Sequence, residues 1–492
     1  MTNAEPERSG LVGRVLARLR GEPTAPADRL AGARAHLAAG RPVEAARLLI
    51  EMPSDNGEAQ VELGRLYEAG RGVLRNIADA AACYERAAEA GNAEGMTRLA
   101  VLLIAGRAVE GDLGGIEALH PNGREIARAP QRARELARAA AEAGNVEGMA
   151  LAGYLHAAGI GGPVDMAAAH DFYRPAAEAG SVEAALGYGT LLAGGHVGPA
   201  DAAAARPWFE KAATAGNATA RTSLAVDLLR GLGGPADPQR AVDLLRAAGE
   251  SGHGPALRML GLLRLEGETI ARDREEGERL LRGAVACGDL EAMFRLAEQV
   301  RVRAPAEART LARRASDARH VASMRLYSEM LRRGEGGEKD IPAAWRWLEA
   351  AAEAGDREAQ FTLGVAHATG EEVTFDLELA AAWSRRAAEA GHSAAKVNLG
   401  RFMMQGTGTD RDPGRALRWL SSALDDGEIA SVVALGELFA FWIDPPDRTR
   451  ARALFSRAAQ LGDKRALDLL QRLDRIETGE PRQRKGRGRK RP

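Results

Sequence analysis

Residues 58–67 read Glu58-Ala59-Gln60-Val61-Glu62-Leu63-Gly64-Arg65-Leu66-Tyr67, the following loop reads Gly70-Arg71-Gly72-Val73, and the segment closes on Ala87-Ala88-Glu89-Ala90-Gly91. Apolar and small residues at 59, 63, 66 and 67 fall on one stripe at helical spacing, so this is the first helix (A) of a pair. The Gly-rich loop ends it. A second helix (B) runs from Ala80 to Ala90. It stops at Gly91, a position where positive φ costs little only without a side chain.

The terminal glycine returns at Gly144, Gly180, Gly216, Gly252 and Gly288, is replaced by Arg319, and resumes at Gly355, Gly391, Gly427 and Gly462. The steps from Gly91 are 53, 36, 36, 36, 36, 31, 36, 36, 36 and 35 residues. A period of 36 therefore organises most of the chain, with one insertion of 17 and one deletion of five. The residue after the glycine is mostly an N-cap type, as at Asn92, Asn145, Ser181, Asn217, Asp289 and Asp356, and is expected to cap the next helix. Eight positions before it stands a large residue, Phe172, Trp208, Trp347, Trp383 or Trp419, with leucines elsewhere and Cys83 in the first full repeat. This column is expected to anchor each layer. Four positions before it is always Ala, whose methyl lets the next helix pack close.

The pattern Leu63-Gly64, Tyr67, Gly70-Arg71-Gly72-Val73, Tyr84, Ala87-Ala88-Glu89-Ala90-Gly91, with further instances at Leu363-Gly364 to Gly391 and Leu399-Gly400 to Trp419, resembles the Sel-one-like repeat, a helical hairpin related to the tetratricopeptide repeat. The resemblance covers residues 57–472. The expected fold is all-α: a solenoid of about eleven stacked helical hairpins, each touching mainly its neighbours. A right-handed superhelical sweep is implied by the resemblance alone.

The expected organisation is an arm with a short basic amphipathic segment over 1–29, a degenerate first hairpin over 30–56, and the repeats over 57–463. An insertion lies within 106–130, and the repeat at 290–320 lacks both the Gly-x-Gly loop and the terminal Gly. A lone capping helix follows over 464–478, then a basic tail over 479–492. Arm and tail are expected to be disordered.

Composition sets the outer limits. The chain has 492 residues, of which aromatics make up 4% and Gly 57, well above the usual glycine share of about 7%. So few large residues fill many thin layers rather than one deep core. Formal net charge is −1, but residues 481–492 carry seven bases and no acid, leaving the rest at −8. An acidic body argues against general nucleic-acid binding. Cys83 and Cys287 are too far apart in sequence for a CxxC motif and imply a reducing compartment. Apolar residues at 11–19 are interrupted by Gly13, Arg14, Ala17 and Arg18, and no window is apolar enough to span a bilayer, so a cytoplasmic location with no transmembrane segment is expected.

No catalytic, cofactor-binding or metal-binding residue is expected. The histidines (36, 120, 156, 170, 196, 253, 320, 367 and 392) hold no metalloprotease spacing. His156 and His367 occupy the Tyr67 position as packing residues, and His253, His320 and His392 sit at inter-repeat turns. Gly187-Tyr188-Gly189 lacks the strand that a dinucleotide fingerprint requires. Gly334–Asp340 lacks the Lys-Ser/Thr of a phosphate loop, and the loop of Asp410 and Asp412 lacks the remaining carboxylates of a calcium site. These are read as linkers between helices.

Three segments fall outside the repeat. The insertion carries Ile116, Leu119 and Ile126, a possible docking element or tolerated drift. Leu11, Val12, Val15, Leu16 and Leu19 form one face of a basic N-terminal segment suited to a membrane surface or a partner. The C-terminal tail offers weak nonspecific contact with nucleic acid or anionic lipid, without aromatics for base stacking. The resemblance implies a protein-binding scaffold or adaptor with one or more protein partners on the solenoid surface, in bacterial signalling or envelope assembly. The sequence leaves the binding residues unknown.

Overall fold

A computed structural model describes residues 26–106 and 128–478, and every regular element among them is helical. The chain divides into two compact units between Leu260 and Gly261. In the first, α1 (Pro26–Ala38) and α2 (Pro42–Ile50) make an opening hairpin. The A/B pairs that follow are α3 (Gly57–Ala69) with α4 (Ile77–Glu89), α5 (Ala93–Ala105) with α6 (Pro130–Glu142), and α7 (Val146–Ala158) with α8 (Met166–Glu178). Next come α9 (Val182–Gly194) with α10 (Ala202–Thr214), and α11 (Ala218–Arg230) with α12 (Pro238–Glu250).

The unit boundary falls within α13 (Gly254–Glu266), whose B helix is α14 (Arg274–Ala286). The second unit continues with α15 (Leu290–Val300) and α16 (Pro305–Asp317), α17 (Val321–Arg333) and α18 (Ile341–Glu353), and α19 (Arg357–Thr369) and α20 (Leu377–Glu389). It ends with α21 (Ser393–Gln405) and α22 (Pro413–Asp425), α23 (Ala430–Glu437) and α24 (Arg448–Gln460), and the lone α25 (Lys464–Thr478).

The repeat columns explain these boundaries. Each B helix closes as at Gly91, where the Asn92 amide donates to the Ala87 carbonyl (2.9 Å) and the Gly91 amide to Ala88 (2.9 Å). This is the paired bonding of a left-handed C-terminal cap. Gly91 has φ 76°, and Arg319 adopts the same conformation at φ 62°. The next residue then caps the following A helix: the Asn92 side chain accepts from the Gly95 amide at 2.9 Å and Asp356 from Ala359 at 2.8 Å. His320 is an exception and caps nothing. The invariant alanine (87, 140, 176, 212, 248, 284, 315, 351, 387, 423, 458) is fully buried in every repeat.

A second capping column, absent from the sequence reading, opens the B helices. Asn76, Asp165, Asp201, Asp237, Asp273, Asp340, Asp376, Asp412 and Asp447 all accept from first-turn amides. Ala129 and Ala304 stand there instead, after the insertion and in the degenerate repeat, and each precedes a proline at the first helical position.

The anchor expectation needs correcting. The large residue eight before the glycine is only half-buried at Phe172, Trp208, Trp347, Trp383 and Trp419. The core residue is its neighbour, seven before the glycine: Tyr84, Tyr173, Phe209, Leu245, Leu281, Leu348, Leu420 and Phe455 are all buried. These side chains lie on the small residue of the Leu-Gly pair in helix A. A Cβ on Gly64 would meet the Tyr84 ring at 2.5 Å, on Gly400 it would meet Leu420 at 2.6 Å, and on Gly436 Phe455 at 2.5 Å. One helical position rotates a side chain by about 100°, enough to move the larger ring from core to rim.

The second glycine of each Gly-x-Gly loop is likewise more than a linker. A Cβ on Gly72, Gly161, Gly233, Gly336 or Gly408 would lie within 2.3 Å of the first-residue carbonyl of the preceding repeat's B helix. With φ near 70°, these positions let one repeat's loop sit directly on its neighbour's backbone.

The repeat at 290–320 closes by charge. Arg301 donates to both carboxylate oxygens of Glu335 (2.5 and 3.0 Å) and to Glu329 (3.2 Å). Arg303 donates to Glu278, a buried carboxylate that also takes Arg274 at 3.0 Å and lies 3.6 Å from Arg282. Burial pushes the Glu278 carboxyl up, but Arg303 and Arg274 outweigh it and hold it below its ordinary value; Arg301 does the same for Glu335. The last hairpin also lacks a Gly pair. There a π-helical turn, Leu438–Trp442, joins α23 toward α24, with Arg450, Arg472 and Arg411 lying 5.0, 4.4 and 5.4 Å over Phe439, Phe441 and Trp442.

Candidate interaction surfaces

Neighbouring A helices touch directly, α3 with α5, α5 with α7, α7 with α9 and, in the second unit, α21 with α23. Residues at one register therefore line up across them. In the first unit the row begins as a ladder of ion pairs. Arg34 meets Glu58 at 3.0 Å and Glu62 at 3.7 Å; Arg65 meets Glu62 at 3.3 Å and also Glu94; Arg98 meets Glu94 at 2.8 Å and Glu68 at 3.7 Å. Glu68 accepts from the buried Tyr84 hydroxyl at 2.7 Å. These charges are mutually satisfied. At the next steps of the row, the residues equivalent to Arg65 are Val101, 49% exposed, and Tyr154, 51% exposed. They form an apolar step beside the ladder.

The histidines are tied into packing. His156 takes the Arg134 guanidinium at 2.8 Å and packs on Phe172 with ring centres 5.4 Å apart. Burial, with Arg134 adding to it, lowers its pKa. His367 contacts the Thr374 carbonyl at 3.0 Å. His253 contacts Thr222 at 3.1 Å, His320 lies 3.1 Å from Glu291, and His392 caps α21 while stacking on Phe361 at 4.2 Å. Asp412, considered for a calcium loop, caps α22 through the Arg415 amide at 2.8 Å. Gly187 and Gly189 are helical and pack on Tyr173 and Phe209. Cys83 is buried and Cys287 exposed.

Among the described residues no cluster of three or more His, Cys, Asp or Glu could hold a metal ion, and no helix is long and apolar enough to cross a membrane. The N-terminal segment (10–20), the insertion residues Ile116, Leu119 and Ile126, and the tail (481–492) lie outside the described residues.

The half-buried aromatics on the B helices are mostly partnered. Tyr188 packs edge-on to Trp208 at 5.3 Å and Tyr327 to Trp347 at 5.9 Å, while the Arg386 guanidinium lies 4.7 Å over Trp383. Below them, arginines ten before the left-handed closing residue (Gly144, Gly216 or Arg319) clasp the next repeat's loop. Arg134 donates to the Pro163 carbonyl at 2.9 Å, Arg206 to Pro235 at 3.3 Å and Arg309 to Glu338 at 2.9 Å.

The Sel1 repeat model matches ten segments: 57–92, 112–145, 146–181, 182–217, 219–253, 254–289, 321–356, 357–392, 393–428 and 434–463. The chain belongs to the Sel1 repeat family. The unmatched 290–320 is the charge-closed hairpin. A solved protective antigen of uropathogenic Escherichia coli with an SLR fold is similar over 97% of this chain and 99% of its own, at 22% identity and a TM-score of 0.50. A Sel1 repeat protein from Oxalobacter formigenes is similar over 52% of this chain and 96% of its own, at 25% identity and a TM-score of 0.45. The first likeness shows the fold, an array of paired helices. No curated protein matches the sequence.

Proposed function

We propose that this Sel1 repeat protein is a non-enzymatic scaffold that holds a partner protein on the A-helix surface of its first unit, within a cytoplasmic complex serving bacterial signalling or envelope assembly. The observation that carries the reading is the apolar step of Val101 and Tyr154 beside a ladder of charges already paired with one another. An exposed aromatic next to polar side chains that already satisfy one another suits an anchor of a protein interface. Repeat proteins of this family generally mediate protein–protein interaction, which supports the same reading. The competing reading assigns function to the basic tail, whose seven bases within 481–492 suit phosphate groups of nucleic acid or anionic lipid.

Capture from native lysate separates the two. Full-length protein, a 1–480 truncation and a full-length Tyr154→Asp variant are compared, with protein, nucleic acid and lipid identified together. A discrete protein retained by the truncation and lost by Tyr154→Asp is expected. Nucleic acid or lipid captured only by chains that keep the tail, with no protein partner, would overturn the scaffold reading.

A further inference from the structure

We infer that the groove between the B helices α20 and α22 is a second docking site, built for an acidic peptide segment that places an aromatic or apolar side chain against Trp419. The groove is open and has a volume of about 510 Å3. Met403 and Trp419 supply its apolar surface, and Arg385, Arg415 and Arg418 stand around it against one acid, Glu389. Trp419 is the exception in its column. Phe172, Trp208, Trp347 and Trp383 each have a ring or guanidinium against them, whereas among the described residues none lies on Trp419 and its indole N–H donates to no protein group. The side chain packs on the core cluster of the last repeats and also lines the groove.

The cations are also available. Arg418 is exposed and has no ion pair among the described residues; Arg385 reaches only the Thr409 hydroxyl at 3.4 Å. Arg415 meets Asp412 at 3.4 Å with its side chain 62% exposed, a surface pair that a ligand carboxylate displaces at little cost. At the groove floor, Ser422 already accepts from Lys396, which pairs with Asp426 at 2.5 Å. The recognition chemistry is thus three separated guanidinium groups, each able to hold a carboxylate, around one aromatic surface. Glu389 and the neighbouring Asp412 and Asp426 interrupt the positive field. A peptide with spaced carboxylates can avoid them, whereas the evenly charged backbone of a nucleic acid needs a continuous basic track.

The test uses the full chain and a fluorescein-labelled octapeptide of alternating glutamate and phenylalanine, followed by anisotropy. Any contribution of the basic tail is common to wild type and variants, so differences between them report the groove. Arg418→Glu is expected to weaken binding about tenfold and Arg418→Ala by less, while Arg246→Glu, exposed on α12 of the other unit, leaves it unchanged. Peptide should also shift tryptophan emission in wild type, a shift lost in Trp419→Phe, which still binds. Equal affinity of wild type and both Arg418 variants overturns the proposal. So does an oligothymidylate of equal charge whose binding falls by the same factor in Arg418→Glu, since the groove would then be an unselective anion site.

Discussion

The repeats at 393–428 and 290–320 build the same hairpin from different materials. In the first, Gly406 ends α21 at φ 71°, Gly408 lies against the Leu377 carbonyl, Asp412 caps α22, Leu420 covers Gly400, and Gly427 closes at φ 86°. In the second, the loop has no glycine, Ala304 replaces the capping acid, Arg319 takes the left-handed position, and Arg301 and Arg303 tie the loop to Glu335, Glu329 and Glu278. Backbone-close contact in one repeat is replaced by charge-assisted hydrogen bonds in the other. The fold thus demands that each loop be fastened to its neighbour, and it accepts either chemistry. The two fastenings differ in their response to mutation, acid and salt.

The largest effect should come from Gly408→Ala. Its Cβ would stand 1.9 Å from the Leu377 carbonyl at φ +68°, so steric overlap and backbone strain combine. A loss of about 3 kcal/mol is expected in chemical denaturation of the transition that contains the second unit. A loss below about 1 kcal/mol would mean that the loops do not need this contact.

Arg301→Ala should come next, at about 2 kcal/mol, because it removes the three charge-assisted hydrogen bonds that tie the loop to two partly buried carboxylates and leaves Glu329 and Glu335 only the more exposed Arg333. The matching loss in the regular repeat should not occur for Arg415→Ala, whose ion pair with Asp412 is surface-exposed. Equal effects of the two variants would erase the distinction between the repeats.

Exchanging the terminal residues should produce opposite signs. Gly427→Ala places a side chain in open space at φ +86° and should cost about 1 kcal/mol from backbone conformation alone. Arg319→Gly relieves the same conformation at φ 62° and should stabilise by a similar amount. Unfolding midpoints that move in the same direction would refute the cap assignment.

Acid should act unevenly too. Glu335 and Glu278 have depressed pKa values in the folded chain, so their contribution is present above the ordinary glutamate range and is lost as pH falls through their folded values. Amide protection in α15 and α16, corrected for intrinsic exchange, should therefore fall below about pH 4 before that of α21 and α22 does. Parallel loss in both hairpins would count against charge closure.

Much of this was legible in the sequence because the repeat is local. Terminal glycines, the caps that follow them and the invariant alanine act within a few residues of chain, and 36-residue spacing exposes them. Features that need a partner from another helix were not legible. Trp419 and Leu420 are adjacent, and the larger residue looks like the anchor until Gly400 is seen beneath Leu420. The available signal was the Leu-Gly pair, a small residue that implies a large one opposite. Gly408 reads as a linker because its contact, Leu377, lies in the preceding repeat. The π-helical turn at 438–442 replaces a Gly-x-Gly loop with Phe439, Phe441 and Trp442, which in sequence simply continue an apolar helix. The groove beside Trp419 depends on the separation of two B helices, and no residue spacing encodes that.

Native-state hydrogen exchange of the full chain at low ionic strength and at about 1 M salt tests the central claim most directly, since exposed and partly exposed ion pairs are screened at the higher value. Charge closure predicts that α15 and α16 exchange first among the internal hairpins and lose further protection in salt, while α21 and α22 hold theirs. Equal protection of the two hairpins, unchanged by salt, would contradict it.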